Sequence, residues 1–308
     1  MNPRGRTRIA KAGLVAGSAV LLSAMLIGSM AAASYTPWAP ATNAESVAGT
    51  SAELNTASLD GCPIQSPDGL SLYIASDRPG GLGGIDIWVA HRTSGEAPYG
   101  APVNLGAPVN SPADDFCPTP VRGNGLYFVS SRSVPAACGG ADIYFARENP
   151  AHGWTTPENL GCDVNSTAGE AGPSYVEADG RVFLYFSSGP DIFMSEREGD
   201  GSWGVPIAVT ELNSASSDLR PNVSKNGLEI VFDSNRPGTL GGQDLYFASR
   251  TSVDAAWSAP VNGGPNLNTT ANETRGSFSW DGTTLYFGRA PGPEGMSDVF
   301  FSTREKTH

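Results

Sequence analysis

The chain has 308 residues, with 38 Gly and 24 Pro, 39% hydrophobic but only 16% charged residues, and a formal net charge of −12. Few charges and many turn formers exclude a coiled coil and a charged disordered chain, and favour many short strands joined by turns. The acidic balance argues against nucleic-acid binding, which needs clustered Lys and Arg to meet phosphates.

The first element is an address. Arg4, Arg6, Arg8 and Lys11 form a basic region, Gly13 to Met30 is an uncharged apolar run, and Ala31, Ala32 and Ala33 supply small residues at its end. That layout predicts a signal peptide over 1–33 and an exported product, secreted or held in the periplasm or cell envelope. The competing reading is an uncleaved anchor, because Gly13 to Ala33 is long enough to span a bilayer. Membrane contact is expected only through that segment. Cys62, Cys117, Cys138 and Cys162 make an even count, which in an exported chain reads as two disulfides. Their spacing fits no zinc pattern, and three pairings are open.

From residue 34 onward the chain repeats. An Asn-[Ser/Thr]-x3-[Asp/Glu] element occurs five times and ends at Asp60, Asp115, Glu170, Asp218 and Glu273. Eight or nine residues after each acid stands a turn dipeptide: Asp68-Gly69, Asn124-Gly125, Asp179-Gly180, Asn226-Gly227 and Asp281-Gly282. Such pairs favour tight hairpins in which both central residues take positive φ. An aromatic strand-like run follows, then a Gly-rich loop, then a second run from Asp86, Asp142, Asp191, Asp244 or Asp298 to Arg92, Arg147, Arg197, Arg250 or Arg304. Tyr99, Trp154, Trp203 and Trp257 then open a fourth strand. Four strands per unit of about 50 residues are the signature of a propeller blade. The expected fold is all-β: a single five-bladed β-propeller over 34–308 with four-stranded blades. Its units are approximately 60–114, 115–169, 170–217, 218–272 and 273–305. The last unit stops after three strands, and 38–59 holds the end of a repeat without its beginning. The N-terminal strand is therefore expected to complete the last blade and close the ring. Trp38 to Asn55 is 17 residues against 10 or 11 in the other units, so an insertion is expected there.

SPDGLSLYIASDRPGGLGGIDIWVAHR at 66–92 and KNGLEIVFDSNRPGTLGGQDLYFASR at 225–250 resemble the WD40-like propeller repeat of TolB-type and OmpA-type exported bacterial proteins. The resemblance covers 38–305. It implies the propeller fold and a binding or scaffolding role in the envelope or outside the cell. Blade three departs from the pattern: Phe186-Ser187-Ser188-Gly189-Pro190-Asp191 lacks both the Arg and the long Gly-Gly loop, so a shorter loop is expected.

In a propeller the first strand of each blade is innermost. Asp60, Asp115, Glu170, Asp218 and Glu273 are therefore candidates to ring one mouth of the channel as a ligand site. The competing reading, favoured by their fivefold recurrence, is that each carboxylate is structural; a catalytic pair needs two acids in unlike settings. Two residues after each acid the units differ: Cys62, Cys117, Gly172, Arg220 and Arg275. Neighbouring inner strands approach near the axis, which favours Cys62–Cys117 as one disulfide and leaves Cys138–Cys162. Arg220 and Arg275 are candidates to bind an anionic ligand or to pair with acids. Trp88 and Trp280 break the repeat and are candidates for stacking on sugars.

His91, His152 and His308 fit no triad, and no metal or phosphate-binding motif is present. No cofactor is expected; the Gly-rich loops allow at most calcium, and no motif argues for it. The resulting expectation is non-enzymatic recognition of envelope polysaccharide, peptidoglycan or a protein through a propeller face. The alternative is a carbohydrate-active enzyme, a glycoside hydrolase or lyase, using ring carboxylates at the channel mouth.

Overall fold

The computed structural model describes Met1 and residues 34–307. The expected signal segment, apart from Met1, and His308 fall outside the described residues.

Five four-stranded antiparallel blades form a ring. The innermost strands are Asp60–Gln65, Asp115–Val121, Glu170–Ala178, Asp218–Val223 and Asn272–Phe278. Each neighbours the next around the axis. The second strands are Ser71–Ser76, Gly125–Ser130, Arg181–Ser188, Glu229–Ser234 and Thr284–Ala290. The third strands begin at the repeated Asp, from Asp86–His91 to Asp298–Thr303. Outermost strands are only two residues long, as in Val103–Asn104 and Val261–Asn262. In blade two the expected aromatic does open a short strand, Gly153–Trp154, which pairs with the third strand ahead of Glu158–Asn159. In blades one and four the outer strand starts beyond the aromatic, which sits under the Arg that ends the third strand: Arg92 lies 4.7 Å from the Tyr99 ring and Arg250 4.3 Å from Trp257. The same arginines donate to the hairpin glycine, Arg92 Nε to Gly69 O and Arg250 Nε to Gly227 O, both at 2.7 Å.

The hairpins differ from the expectation in detail. Both central residues take positive φ at Asp179 (52°) and Gly180 (72°), and in blade two at Gly123 (75°) and Asn124 (59°), one residue early. In blades one, four and five only the glycine does so, because the acid or amide side chain before it closes the turn. Ser66 Oγ and Leu70 N, for example, donate to Asp68 Oδ1 at 2.5 and 3.0 Å.

Both faces of a blade are covered by its neighbours, so its strands read as continuous apolar runs; all six residues of Gly125–Ser130 are buried. The core lies between blades. One cluster packs Tyr185 and Ile192 of blade three against Phe232 and Trp257 of blade four, and another joins Tyr286 and Val299 to Leu72 and Ile74 across the closure.

The N-terminal segment closes the ring. Thr42 and Asn43 pair with Phe301 and Phe300, giving the C-terminal blade its fourth strand. Ser34 and Tyr35 pair with Thr307 and Lys306. The extra residues before Asn55 hold a short 3-10 turn, Ala44–Ser46, whose Glu45 Oε1 accepts from Asn55 N at 2.8 Å.

Candidate functional site

The repeated Asn-[Ser/Thr]-x3-acid element is a two-sided clamp. Its Asn reaches back to the third strand of the preceding blade. Asn110 accepts from Ile87 N and donates to Ile87 O, both at 2.9 Å; Asn268 does the same to Leu245 at 2.9 and 3.0 Å. Asn55 closes the circle by accepting from Val299 N at 2.7 Å. Its Ser or Thr donates twice to the acid of its own blade. Thr56 N and Oγ1 reach Asp60 Oδ2 at 2.6 and 2.8 Å, and Ser111 N and Oγ reach Asp115 Oδ2 at 2.6 and 2.7 Å.

Each acid is buried and opens its inner strand, except that Glu273 is the second residue of Asn272–Phe278. In four blades an arginine closes over the acid, and in three of them it stands two residues past the second strand's pairing partner and takes the other oxygen. Arg78 meets Asp60 at 2.5 Å, Arg132 meets Asp115 at 2.6 Å, Arg289 meets Glu273 at 2.8 Å, and Arg236 pairs with Asp218. In blade five the arginine is itself the partner residue, since Glu273 lies opposite Arg289. These four carboxylates are held on both oxygens by the protein, which is the geometry of a structural bracket.

Blade three breaks the rule. Position 190 is proline, so no cation reaches Glu170. Its Oε1 accepts from Ser166 N (2.9 Å), Ser166 Oγ (2.7 Å) and Ser188 Oγ (2.9 Å). Its Oε2 is buried with no partner. Burial pushes the Glu170 carboxyl above its ordinary range, and the serine hydrogen bonds only partly oppose this. The strand register puts Glu170 opposite Ser188, and Ser188 opposite Asp191. Elsewhere the corresponding Asp caps its Gly-rich loop: Asp86 accepts from Leu82 N (2.5 Å), Gly83 N (3.2 Å) and the Asn104 amide (2.9 Å). The short loop of blade three offers no such donors. Asp191 is half-buried, and among the described residues no hydrogen bond or ion pair engages its carboxylate. A row of acid, serine and acid thus stands without counter-charge in this blade alone. The missing Arg and short loop are visible in the sequence; the ladder that aligns Glu170, Ser188 and Asp191 is not.

The variable position two residues after each acid converges on the axis. Every inner strand carries a bulge there, and Cys62, Cys117, Arg220 and Arg275 adopt φ of 48°, 48°, 50° and 52°, with Gly172 at 60°. Cys62 and Cys117 are disulfide-bonded, as are Cys138 and Cys162. Arg220 forks onto Asp233 at 3.0 and 2.6 Å. Arg275 is fully buried, and its Nη2 donates to Thr119 Oγ1 at 3.0 Å and to Pro118 O and Pro173 O at 3.3 and 3.2 Å. Burial, with Arg220 beside it, pushes its guanidinium down to about 9. Blade three needs glycine here because a Cβ on Gly172 would come within 2.5 Å of both Arg220 Cα and Arg275 Nη1. Arg220 is thus a quarter exposed and held by Asp233, whereas Arg275 is enclosed with its Nε and Nη1 unpartnered. Trp88 is also interior, packed with Leu54 and Tyr99 and covered by Arg78 at 5.3 Å. Among the described residues no group of three or more His, Cys, Asp or Glu could hold a metal ion.

No protein-family model matches the chain, and no curated sequence matches it. In fold it is similar to solved glycoside hydrolases. A xylan β-1,4-xylosidase from Bacillus halodurans aligns with a TM-score of 0.53 at 14% identity, over 84% of this chain and 54% of that one. A GH62 hydrolase in complex with xylotriose aligns with a TM-score of 0.54 at 12% identity, over 88% and 98%. An α-L-arabinofuranosidase from Lactobacillus brevis gives 0.53 at 15% identity, over 84% and 93%. The chain thus spans about half of the xylosidase and nearly all of the other two. At such identities the likeness establishes the propeller fold.

These findings correct three expectations. The non-enzymatic recognition reading is overturned, because the structural neighbours are glycoside hydrolases and favour the enzyme alternative. The WD40-like, TolB-type resemblance holds at the level of the propeller, since no family model matches and the neighbours are hydrolases. Peptidoglycan and protein partners find no support among these neighbours.

Proposed function

We propose that this propeller hydrolyses glycosidic bonds in a pentose-containing polysaccharide of the xylan or arabinan kind, with blade three as its reactive blade. One observation carries the reading: Glu170, alone among five equivalent acids, has no arginine and keeps a free buried oxygen, and burial raises its pKa. A glycosidase needs a carboxyl that stays protonated to give its proton to the leaving oxygen, and a second carboxylate to act on water. Glu170 fills the first role and Asp191 the second. Their backbones lie two strand spacings apart, about 9.5 Å across the sheet, so both carboxyl side chains can face one bound glycosidic bond. Glu170 is 2% exposed, so the turn at Gly189 has to move aside before a glycosidic oxygen reaches it. Asp60, Asp115, Asp218 and Glu273 serve the scaffold in this reading.

Export fits the same proposal: a signal segment over 1–33 precedes the propeller of 34–308. Two disulfides form in an oxidising compartment, and among the described residues no helix is long and apolar enough to cross a membrane. The test is sugar release from arabinoxylan and linear arabinan, followed by mass spectrometry. Wild type should release pentose or short oligomers, and Glu170→Gln and Asp191→Asn should not. No release from either polymer by the wild-type protein would end the hydrolase reading. Release undiminished by Glu170→Gln would move the chemistry to another blade.

A further inference from the structure

On the face opposite the carboxylate brackets, the inner strands end around a small open funnel with about 60 Å³ of room for solvent. Trp280 of blade five lies across it. Arg122 of blade two and Lys225 of blade four approach its ring at 4.7 and 4.9 Å. One indole therefore gathers two cations from blades that are not neighbours of each other. Both cations are exposed. Neither forms a hydrogen bond or ion pair among the described residues, although every other described arginine makes at least one hydrogen bond.

The funnel is lined by one acid, Glu177, whose Oε1 accepts from Tyr175 OH at 2.6 Å. Two cations against one carboxylate make this opening locally positive in a chain of net charge −12. Such a focus draws an anion past an otherwise repelling surface. We propose that the funnel binds the carboxylate of a uronic acid carried by an acidic polysaccharide. The arginine fork matches a single carboxylate in bidentate fashion, and Lys225 adds a point charge. Tyr175 and Trp280 offer aromatic surface to the sugar ring, and Glu177 accepts from its hydroxyls. Arg and Lys also bind phosphate, so phosphate is the competing anion that the experiment sets against the sugar acid.

This inference rests on the proposed function only for its premise that the ligand is a saccharide. It adds a second site, on the other face, that would hold the acidic side groups of the polymer.

The experiment is titration calorimetry of the full chain with xylotetraose bearing one glucuronate, with plain xylotetraose, and with inorganic phosphate. The acidic oligosaccharide should bind and weaken as salt rises. Plain xylotetraose should bind at least about tenfold more weakly, and Arg122→Gln and Lys225→Gln should each cost about tenfold. Both side chains are exposed, so thermal melts of these variants should match the wild type. Equal binding of the neutral sugar, no binding of the acidic one, or binding unchanged in both variants would overturn the proposal. Phosphate displacing the oligosaccharide at equal concentration would do so as well, by identifying a phosphate site. Glu170→Gln separates this proposal from the hydrolase reading. It should leave funnel binding intact while sugar release is lost. Release without funnel binding condemns the funnel alone, and funnel binding without release condemns the hydrolase reading alone.

Discussion

Blade three and the other four blades solve the same local problem differently. Every inner strand carries at its start a buried carboxylate that must find hydrogen bonds or a counter-charge. Four blades supply an arginine, and the arginine also donates to the last serine or loop carbonyls, as Arg78 does to Ser76 Oγ (2.9 Å) and Leu54 O (3.0 Å). Blade three supplies two serines, loads three donors onto one oxygen and leaves the other bare. The first arrangement fixes a charge in place. The second leaves a group that can hold and release a proton. A repeated residue is thus structural or chemical according to its second neighbour, not according to its own identity.

The largest effect that would test this contrast is on folding. Asp218→Asn removes the partner of Arg236, which is itself only 13% exposed. Breaking such a pair by one side should cost about 3–5 kcal/mol, read as a lower urea midpoint with unchanged slope. Glu170→Gln should show no comparable loss, because no cation is stranded. Similar destabilisation by both substitutions would erase the distinction between the blades.

Catalysis should show the reverse pattern. Glu170→Gln should lower sugar release by about a hundredfold or more, the usual worth of a positioned acid. Replacing an arginine-paired acid should lower activity only in proportion to the folded fraction. The same Glu170→Gln variant carries a pH signature. A carboxyl whose folded pKa is raised contributes stability that is full below its ordinary pKa and is lost as pH rises through the folded value. Removing it should make the variant's melting temperature exceed that of wild type at neutral pH and converge with it in acid. A variant that gained nothing at neutral pH would show that Glu170 bears no burial cost.

Much of this architecture was legible in the sequence because its signals are local. The Asn-[Ser/Thr]-x3-acid spacing, the turn dipeptides and the truncated last unit together specify five blades and a ring closed by the N-terminal segment, though not that Thr42–Asn43 is the closing strand. Cys62–Cys117 was within reach because the two residues hold equivalent positions in adjacent units. The site was less legible because its contacts run across strands. Asn110 binds the backbone of Ile87, which any side chain could have occupied. The absent arginine at position 190 was visible as a shorter loop, but its consequence for Glu170 depends on the pairing of Glu170 with Ser188. The meeting of Arg122, Lys225 and Trp280 depends on closure of the whole ring, so the aromatic at 280 could be noticed without its cations.

The smallest effect is the sharpest probe of blade three's chemistry. Ser188 donates to Glu170 Oε1 and also lies 2.8 Å from Ser166 Oγ. Ser188→Ala deletes one hydrogen bond and should cost only about 0.5–1.5 kcal/mol of stability. That bond lowers the Glu170 pKa, so its loss should raise the pKa further. An acid catalyst works while protonated, so the alkaline limb of the pH–rate profile should move to higher pH in Ser188→Ala, with the acid limb in place. A scaffold role for Ser188 predicts instead a uniform drop in rate with both limbs unmoved. The direction of that one limb therefore decides whether the serine tunes a proton donor or merely fills the space that an arginine takes in the other blades.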